Sequence, residues 1–204
     1  MPMKIGLMGG TFNPIHLGHL LISEYIRTNF PLDKIIFIPS GNPPHKEYDD
    51  IVSSQHRLNM VVLATQENPY FEVSKNEIER QGKSYTVDTL MEFKDIYPND
   101  ELYFIIGEDS LYNLRNWKDP EKLFCIINFI VIGRNNLEDK NMLTKISELN
   151  VKYGATIHYI DGPIIQISST DIRNNIKNFQ SIKYLVPETV EKYIIDNKLY
   201  LPEA

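Results

Sequence analysis

Apolar residues fall along this chain in two alternating patterns. Short uninterrupted runs, Lys4–Met8, Ile35–Ile38, Leu102–Ile106 and Asn128–Ile132, alternate with longer stretches in which apolar positions recur at helical spacing. A run without polar alternation is what a strand buried on both faces looks like. Phe71–Val73 and Thr156–Ile160 read as two further strands. Helical spacing covers Leu17–Phe30, with Leu20, Leu21, Tyr25 and Ile26 on one side. It also covers residues 53–66, with Leu58, Val61, Val62 and Thr65 on one face. Thr86–Ile96 and residues 140–150, 170–177 and 187–197 complete the predicted helices. Alternation of such strands with helices predicts an α/β fold, a parallel sheet covered by helices. Ligands in such folds collect at the carboxyl ends of the strands, near a switch in strand order. Residues 39–50 and 134–141 read as surface loops, and neither marks a domain boundary. One domain is expected over residues 1–204.

Composition narrows the function classes. The 204 residues are 42% hydrophobic and 24% charged, enough for one sizeable core and unlike a disordered chain. A formal net charge of −6 argues against a general nucleic-acid binder, which needs a basic surface. Polyanion chemistry here must rest on a few placed cations. Cys125 is the single cysteine, so no intrachain disulfide forms. Its place in the run Leu123–Ile132 predicts a buried small hydrophobe rather than a nucleophile. The apolar run at the N-terminus is short for a signal-peptide core and is broken by glycine. No stretch approaches the roughly 20 apolar residues of a bilayer span. The expectation is a cytoplasmic protein without a membrane partner. Oligomeric state stays open, a homo-oligomer included.

Directly after the first strand comes Gly9-Gly10-Thr11-Phe12-Asn13-Pro14-Ile15-His16-Leu17-Gly18-His19. A strand, a glycine turn and a helix start together present backbone N–H groups to an anion. The string lacks the Gly-Lys-Ser/Thr ending of a P-loop and the glycine spacing of the dinucleotide fingerprint. His16 and His19, three apart, share one helix face over the turn and can donate to phosphate oxygens. Metal ligation by the pair would need a third ligand, and none stands nearby in the sequence. Near the other end, Ile167-Ser168-Ser169-Thr170-Asp171-Ile172-Arg173 reads as a helix start, with Arg173 expected on its first turn. Hydroxyls, free N–H groups and a guanidinium make an anion site.

These two strings resemble the signatures of the nucleotidyltransferase superfamily, which shares His-x-Gly-His with class I aminoacyl-tRNA synthetases. The resemblance implies a Rossmann-like parallel sheet and a single nucleotidyltransferase domain. It implies that His16 and His19 bind the triphosphate and that the Ser168–Arg173 stretch holds the outer phosphates. Relatives usually carry Asp where this chain has Asn13, which leaves the role of that carboxylate open here.

The middle of the chain speaks to the acceptor. Pro39-Ser40-Gly41-Asn42-Pro43-Pro44-His45-Lys46 is a proline-stiffened loop that can present His45 and Lys46 to a phosphate. Arg80-Gln81-Gly82-Lys83-Ser84-Tyr85-Thr86 opens a helix, with Ser84 or Thr86 as the expected cap. Gly107-Glu108-Asp109 ends a strand in acids, where a ribose hydroxyl can be held. Trp117, the single tryptophan, offers a flat face. Together these strings are similar to the bacterial nicotinate-nucleotide adenylyltransferase family, from residue 4 to the tail Lys198-Leu199-Tyr200.

That resemblance implies ATP and nicotinate mononucleotide as substrates, with Mg²⁺ on the triphosphate. It implies an ATP site of Gly9, Gly10, Thr11, Phe12, His16, His19, Gly107, Asp109, Arg134, Ser168, Ser169, Thr170 and Arg173. The acceptor side would be Thr11, His45, Lys46, Ser84, Tyr85, Thr86 and Trp117. The expected neutralising set is His16, His19, Lys46 and Arg173. Lys118 stands where relatives often carry an aromatic residue, close enough in sequence to lend charge to the nicotinate carboxylate. Nicotinamide mononucleotide or phosphopantetheine as acceptor, or a sensor without turnover, are the competing readings.

Overall fold

The computed structural model describes residues 1–42, 51–134 and 140–202, with the side chains of Arg134 and Lys140 outside the description. In chain order the elements are β1 (Lys4–Gly10), α1 (Leu17–Asn29), β2 (Lys34–Pro39), α2 (Ser54–Thr65), β3 (Phe71–Val73), α3 (Asn76–Glu79), α4 (Thr86–Ile96) and β4 (Glu101–Gly107). There follow α5 (Glu108–Asn113), α6 (Pro120–Ile126), β5 (Asn128–Arg134), α7 (Lys140–Tyr153), β6 (Ile157–Gly162), α8 (Ser169–Lys177) and α9 (Glu188–Asp196). All strand pairings are parallel, in the order β3-β2-β1-β4-β5-β6.

The uninterrupted apolar strands are explained by two cores, one on each face of the sheet. Ile5, Leu7, Ile36, Ile38, Phe104 and Val131 point into the first, which α4, α5, α6 and α7 close with residues such as Leu90, Leu111, Phe124 and Leu149. Met8, Ile35, Phe37, Ile105 and Ile130 point into the second, closed by Ile26 of α1, Val61 of α2, Ile172 of α8 and Ile194 of α9. Successive strand residues serve opposite cores, so every position must be apolar.

The structure corrects several expectations. Leu21 and Val62 stay 54% and 41% exposed. The inner face of α1 centres instead on Gly18, Ile22 and Ile26, with Ser23 buried beside them, and that of α2 on Arg57, Val61 and Thr65. A polar or small residue in the buried stripe rotates the apparent face by about one residue, or 100°. Cys125 is exposed, not buried. The run Leu123–Ile132 is no single strand but the end of α6 followed by β5, and a helical turn that buries Leu123 and Phe124 aims Cys125 outward. The short helices α3, α5 and α6 were invisible to periodicity, being at most seven residues long.

Candidate active site

All strands point the same way, but from the centre of the sheet the order of succession moves outward to one edge through β1, β2 and β3 and to the other through β4, β5 and β6. Loops leaving the carboxyl ends of strands at such a switch part to opposite sides and leave a crevice. A cleft of ≈ 680 Å³ opens there. The turn Gly9–Thr11 and the rings of His16 and His19 form one wall, and Ser168 and Ser169 close the outer end. Ser84, Tyr85, Thr86 and Trp117 also line the cleft, as do Gly107 and Asp109.

The turn after β1 has its carbonyls tied down by three side chains from two other elements, α2 and α8. Arg57 Nη1 donates to the Thr11 carbonyl at 2.7 Å. Arg173 Nη1 donates to that of Asn13 at 3.0 Å, and Ser169 Oγ to that of Pro14 at 2.8 Å. The turn and the hydroxyl–arginine stretch are therefore in direct contact, 155 residues apart in sequence at the Ser169–Pro14 bond. Phe12 adopts a left-handed φ of 48° and is buried behind the cleft, edge-on to the His19 ring at 5.0 Å. The side chain of Asn13 is buried, and its Oδ1 accepts from Tyr200 Oη at 3.0 Å and from the Val52 N–H at 3.3 Å.

His16 caps α1 and stacks on His19 with ring centroids 3.7 Å apart. Gly18 makes room for this, since a Cβ there would stand 3.0 Å from His16 Nδ1. The His16 backbone N–H donates to His19 Nδ1 at 3.2 Å. An Nδ1 that accepts is unprotonated, so neutral His19 carries its proton on Nε2. Burial pushes the His16 imidazole down to about 4. Burial, and then the charge of His16, hold His19 well below the ordinary imidazole value. At neutral pH the free site therefore presents two uncharged rings. His16 Nδ1 is buried without a partner. An anion placed here would favour the protonated rings and reverse that preference.

At the outer end, Ser168 caps α8: its Oγ accepts from the Asp171 N–H at 3.0 Å. Arg173 is the fifth helical residue, past the first turn where it was expected, because the first of the three hydroxyl residues, Ser168, is the cap. Its guanidinium braces the turn after β1, and neither Arg173, Thr170 nor Phe12 is among the residues lining the cleft.

At the start of α4, Tyr85 is the cap and makes no side-chain bond, which corrects the expectation for Ser84 or Thr86. Ser84 instead pairs with the loop after β2: its Oγ accepts from the Asn42 N–H at 3.1 Å, and its N–H donates to the Asn42 carbonyl at 2.9 Å. Trp117 leans edge-on against Phe104 at 6.2 Å, which holds the indole as a wall. Lys118 Nζ lies 3.0 Å from Asp88 and 4.5 Å over the Tyr85 ring, so its charge is already answered within the protein. His45 and Lys46 lie outside the described residues, as does the side chain of Arg134.

Two buried charges escaped the sequence reading. Arg57, 1% exposed, sits among apolar residues of α2. Glu77 lines the cleft, accepts from Thr89 Oγ1 at 2.7 Å, and is pushed above the usual carboxylate range by burial. A signal for Arg57 existed: it stands four residues before Val61 and eight before Thr65, on the buried stripe.

Comparison with known proteins adds to this geometry. The cytidylyltransferase-like family matches residues 7–175. A protein of Moorella thermoacetica is 46% identical over 98% of this chain and 93% of its own length. Another, of Thermoanaerobacter sp. (strain X514), is 44% identical over 97% and 94%. Both are named "Probable nicotinate-nucleotide adenylyltransferase". Among solved structures, Plasmodium falciparum nicotinic acid mononucleotide adenylyltransferase complexed with NaAD has the same fold, with a TM-score of 0.78 at 23% identity over 97% of both chains.

Proposed function

Because this chain belongs to the nicotinate-nucleotide adenylyltransferase family, we propose that it transfers the adenylyl group of ATP to nicotinate mononucleotide, giving nicotinate adenine dinucleotide and pyrophosphate in NAD biosynthesis. The observation that carries the reading is the stacked His16–His19 pair facing a cleft whose far end is the hydroxyl-rich start of α8, bonded directly to the same turn. A 5′-phosphate oxygen of the acceptor forms a bond to the α-phosphorus of ATP. The bond from that phosphorus to its bridging oxygen breaks, and pyrophosphate leaves with the electron pair. The attacking oxygen is already an anion, so the transfer needs neither a general base nor a covalent intermediate.

The protein's work is alignment and charge compensation. His16, His19, Lys46 and Arg173 answer the phosphates, His16 becoming imidazolium as the nucleotide binds and His19 donating from Nε2. Gly9, Gly10, Thr11, Ser168, Ser169 and Thr170 supply donors, and Gly107, Asp109 and Arg134 border the nucleotide. Ser84, Tyr85, Thr86 and Trp117 receive the pyridine end, with His45 on the acceptor phosphate. The donor set of N–H and hydroxyl groups suits phosphate oxygens. Among the described residues no trio of His, Cys, Asp and Glu is arranged to chelate a metal. Mg²⁺ would accordingly be held through the ATP phosphates, where it supplies further charge neutralisation.

The test is pyrophosphate release from ATP with nicotinate mononucleotide, nicotinamide mononucleotide or phosphopantetheine as the only acceptor. The proposal expects the highest kcat/KM with the first. Tight ATP binding without release from any acceptor would leave a nucleotide sensor instead.

A further inference from the structure

Arg57 has no part in the transfer as derived above, yet it touches both halves of the site. Its Nη1 donates to the Thr11 carbonyl at 2.7 Å, its Nη2 to the Gly41 carbonyl at 3.0 Å, and its Nε to the Val52 carbonyl at 3.3 Å. Thr11 belongs to the turn after β1, and Gly41 to the loop after β2. These strands pair as far as Gly10 and Pro39, and the Ser40 N–H still reaches the Gly10 carbonyl at 2.8 Å. One residue further on, Arg57 spans the two backbones.

Gly41 is pinned from its other side as well. Its N–H donates to the Glu77 carboxylate, and a Cβ at position 41 would stand 2.0 Å from the Glu77 carbonyl oxygen. Asn42 then exchanges two bonds with Ser84. A continuous path thus runs from Thr11 through Arg57 and Gly41 to Ser84, and both of its ends line the cleft.

Arginine suits the place. Its planar fork holds two acceptors at fixed angles, which an ammonium cannot do. Among the described residues its hydrogen bonds go to neutral carbonyls and no carboxylate stands within ion-pair distance, although the Glu77 carboxylate acts on its charge from further off. Burying a guanidinium is costly even with carbonyl partners, and an apolar side chain would pack α2 at less cost.

We propose that Arg57 is a positioning residue that sets the spacing between the ATP phosphate turn and the acceptor loop. This rests on the adenylyl transfer proposed above. A displacement of about 1 Å between reacting groups can cost roughly 10²-fold in rate.

The experiment compares Arg57→Lys and Arg57→Met with Val61→Ala, which removes buried volume from the same helix without touching either loop. Kinetics are paired with hydrogen exchange of segments 9–13 and 40–42. In Arg57→Lys, kcat is expected to fall about 10²-fold while both KM values stay within about threefold. Exchange in the two segments should rise together. Val61→Ala should lose thermal stability yet keep kcat within about twofold, with those segments unchanged. If Arg57→Met does not fold, Arg57→Lys carries the comparison. A kcat of Arg57→Lys near wild type, a loss in KM alone, or an equal loss in Val61→Ala overturns the assignment. The exchange readout needs no turnover. Wild-type protein that transfers nothing to nicotinate mononucleotide would sink the adenylyl-transfer reading, while unlinked exchange of the two segments would sink the positioning role.

Discussion

Acid should unfold this protein through the histidine pair, and His16→Gln is the perturbation that isolates it. The His16 pKa is about 4 in the folded protein against 6.5 for a free imidazole. The folded state therefore favours the neutral ring, while the unfolded chain takes up a proton at higher pH. Stability is fully present above about 6.5 and is lost as pH falls towards 4, the direction of a depressed pKa. Between pH 7 and pH 5 the two values give a loss of about 2 kcal/mol from His16 alone. His19 acts in the same direction. So does His158, lowered by burial and by Lys4, whereas Glu77, with a raised pKa, gains stability on acidification. All three remain in His16→Gln, so the difference between variant and wild type reads His16 together with its charge effect on His19.

Urea unfolding at intervals from pH 7 to pH 5 supplies the assay. The wild-type slope should exceed that of His16→Gln by about 2 kcal/mol over the interval, and saturating ATP should shrink the excess, because bound phosphate stabilises the charged ring. Equal slopes would refute the burial argument. An excess that ATP leaves untouched would separate the histidines from the phosphate site.

Further outcomes follow from the same geometry. His19→Ala should lower kcat about 10²–10³-fold while circular dichroism shows an intact fold, as for loss of one preorganised donor. Trp117→Ala should raise the KM for nicotinate mononucleotide more than that for ATP, and the opposite ranking in steady-state kinetics would remove the indole from the acceptor side. Tyr200→Phe deletes a buried donor to Asn13 Oδ1 and should cost about 1 kcal/mol in urea unfolding.

The sheet was legible because strands serving two cores leave no polar position, and that pattern marks β1, β2, β4 and β5 without ambiguity. The meeting of the β1 turn with the Ser168–Arg173 stretch was legible only through the resemblance of both strings to one superfamily. Spacing alone relates nothing across 155 residues. Arg57 and Glu77 were missed because a periodicity argument assigns charge to the outside, and these two are buried where backbone carbonyls, N–H groups and hydroxyls satisfy them. Cys125 failed for a related reason. An apolar run split between a helix end and a strand carries no mark of the change in period. Arg173 was placed on the right element but one turn too early, and its bond to the Asn13 carbonyl could not be read from spacing.

The bond from Tyr200 to Asn13 joins a late residue to one of the earliest loops. On the ribosome the nucleotide turn emerges first and meets its braces in sequence: Arg57, then Ser169 and Arg173, then Tyr200. At roughly 5–20 residues per second, about 10–40 s separate the synthesis of that turn from its last anchor. No nascent fragment ending before Tyr200 holds the full set, so full competence for ATP should wait until Tyr200 has been made.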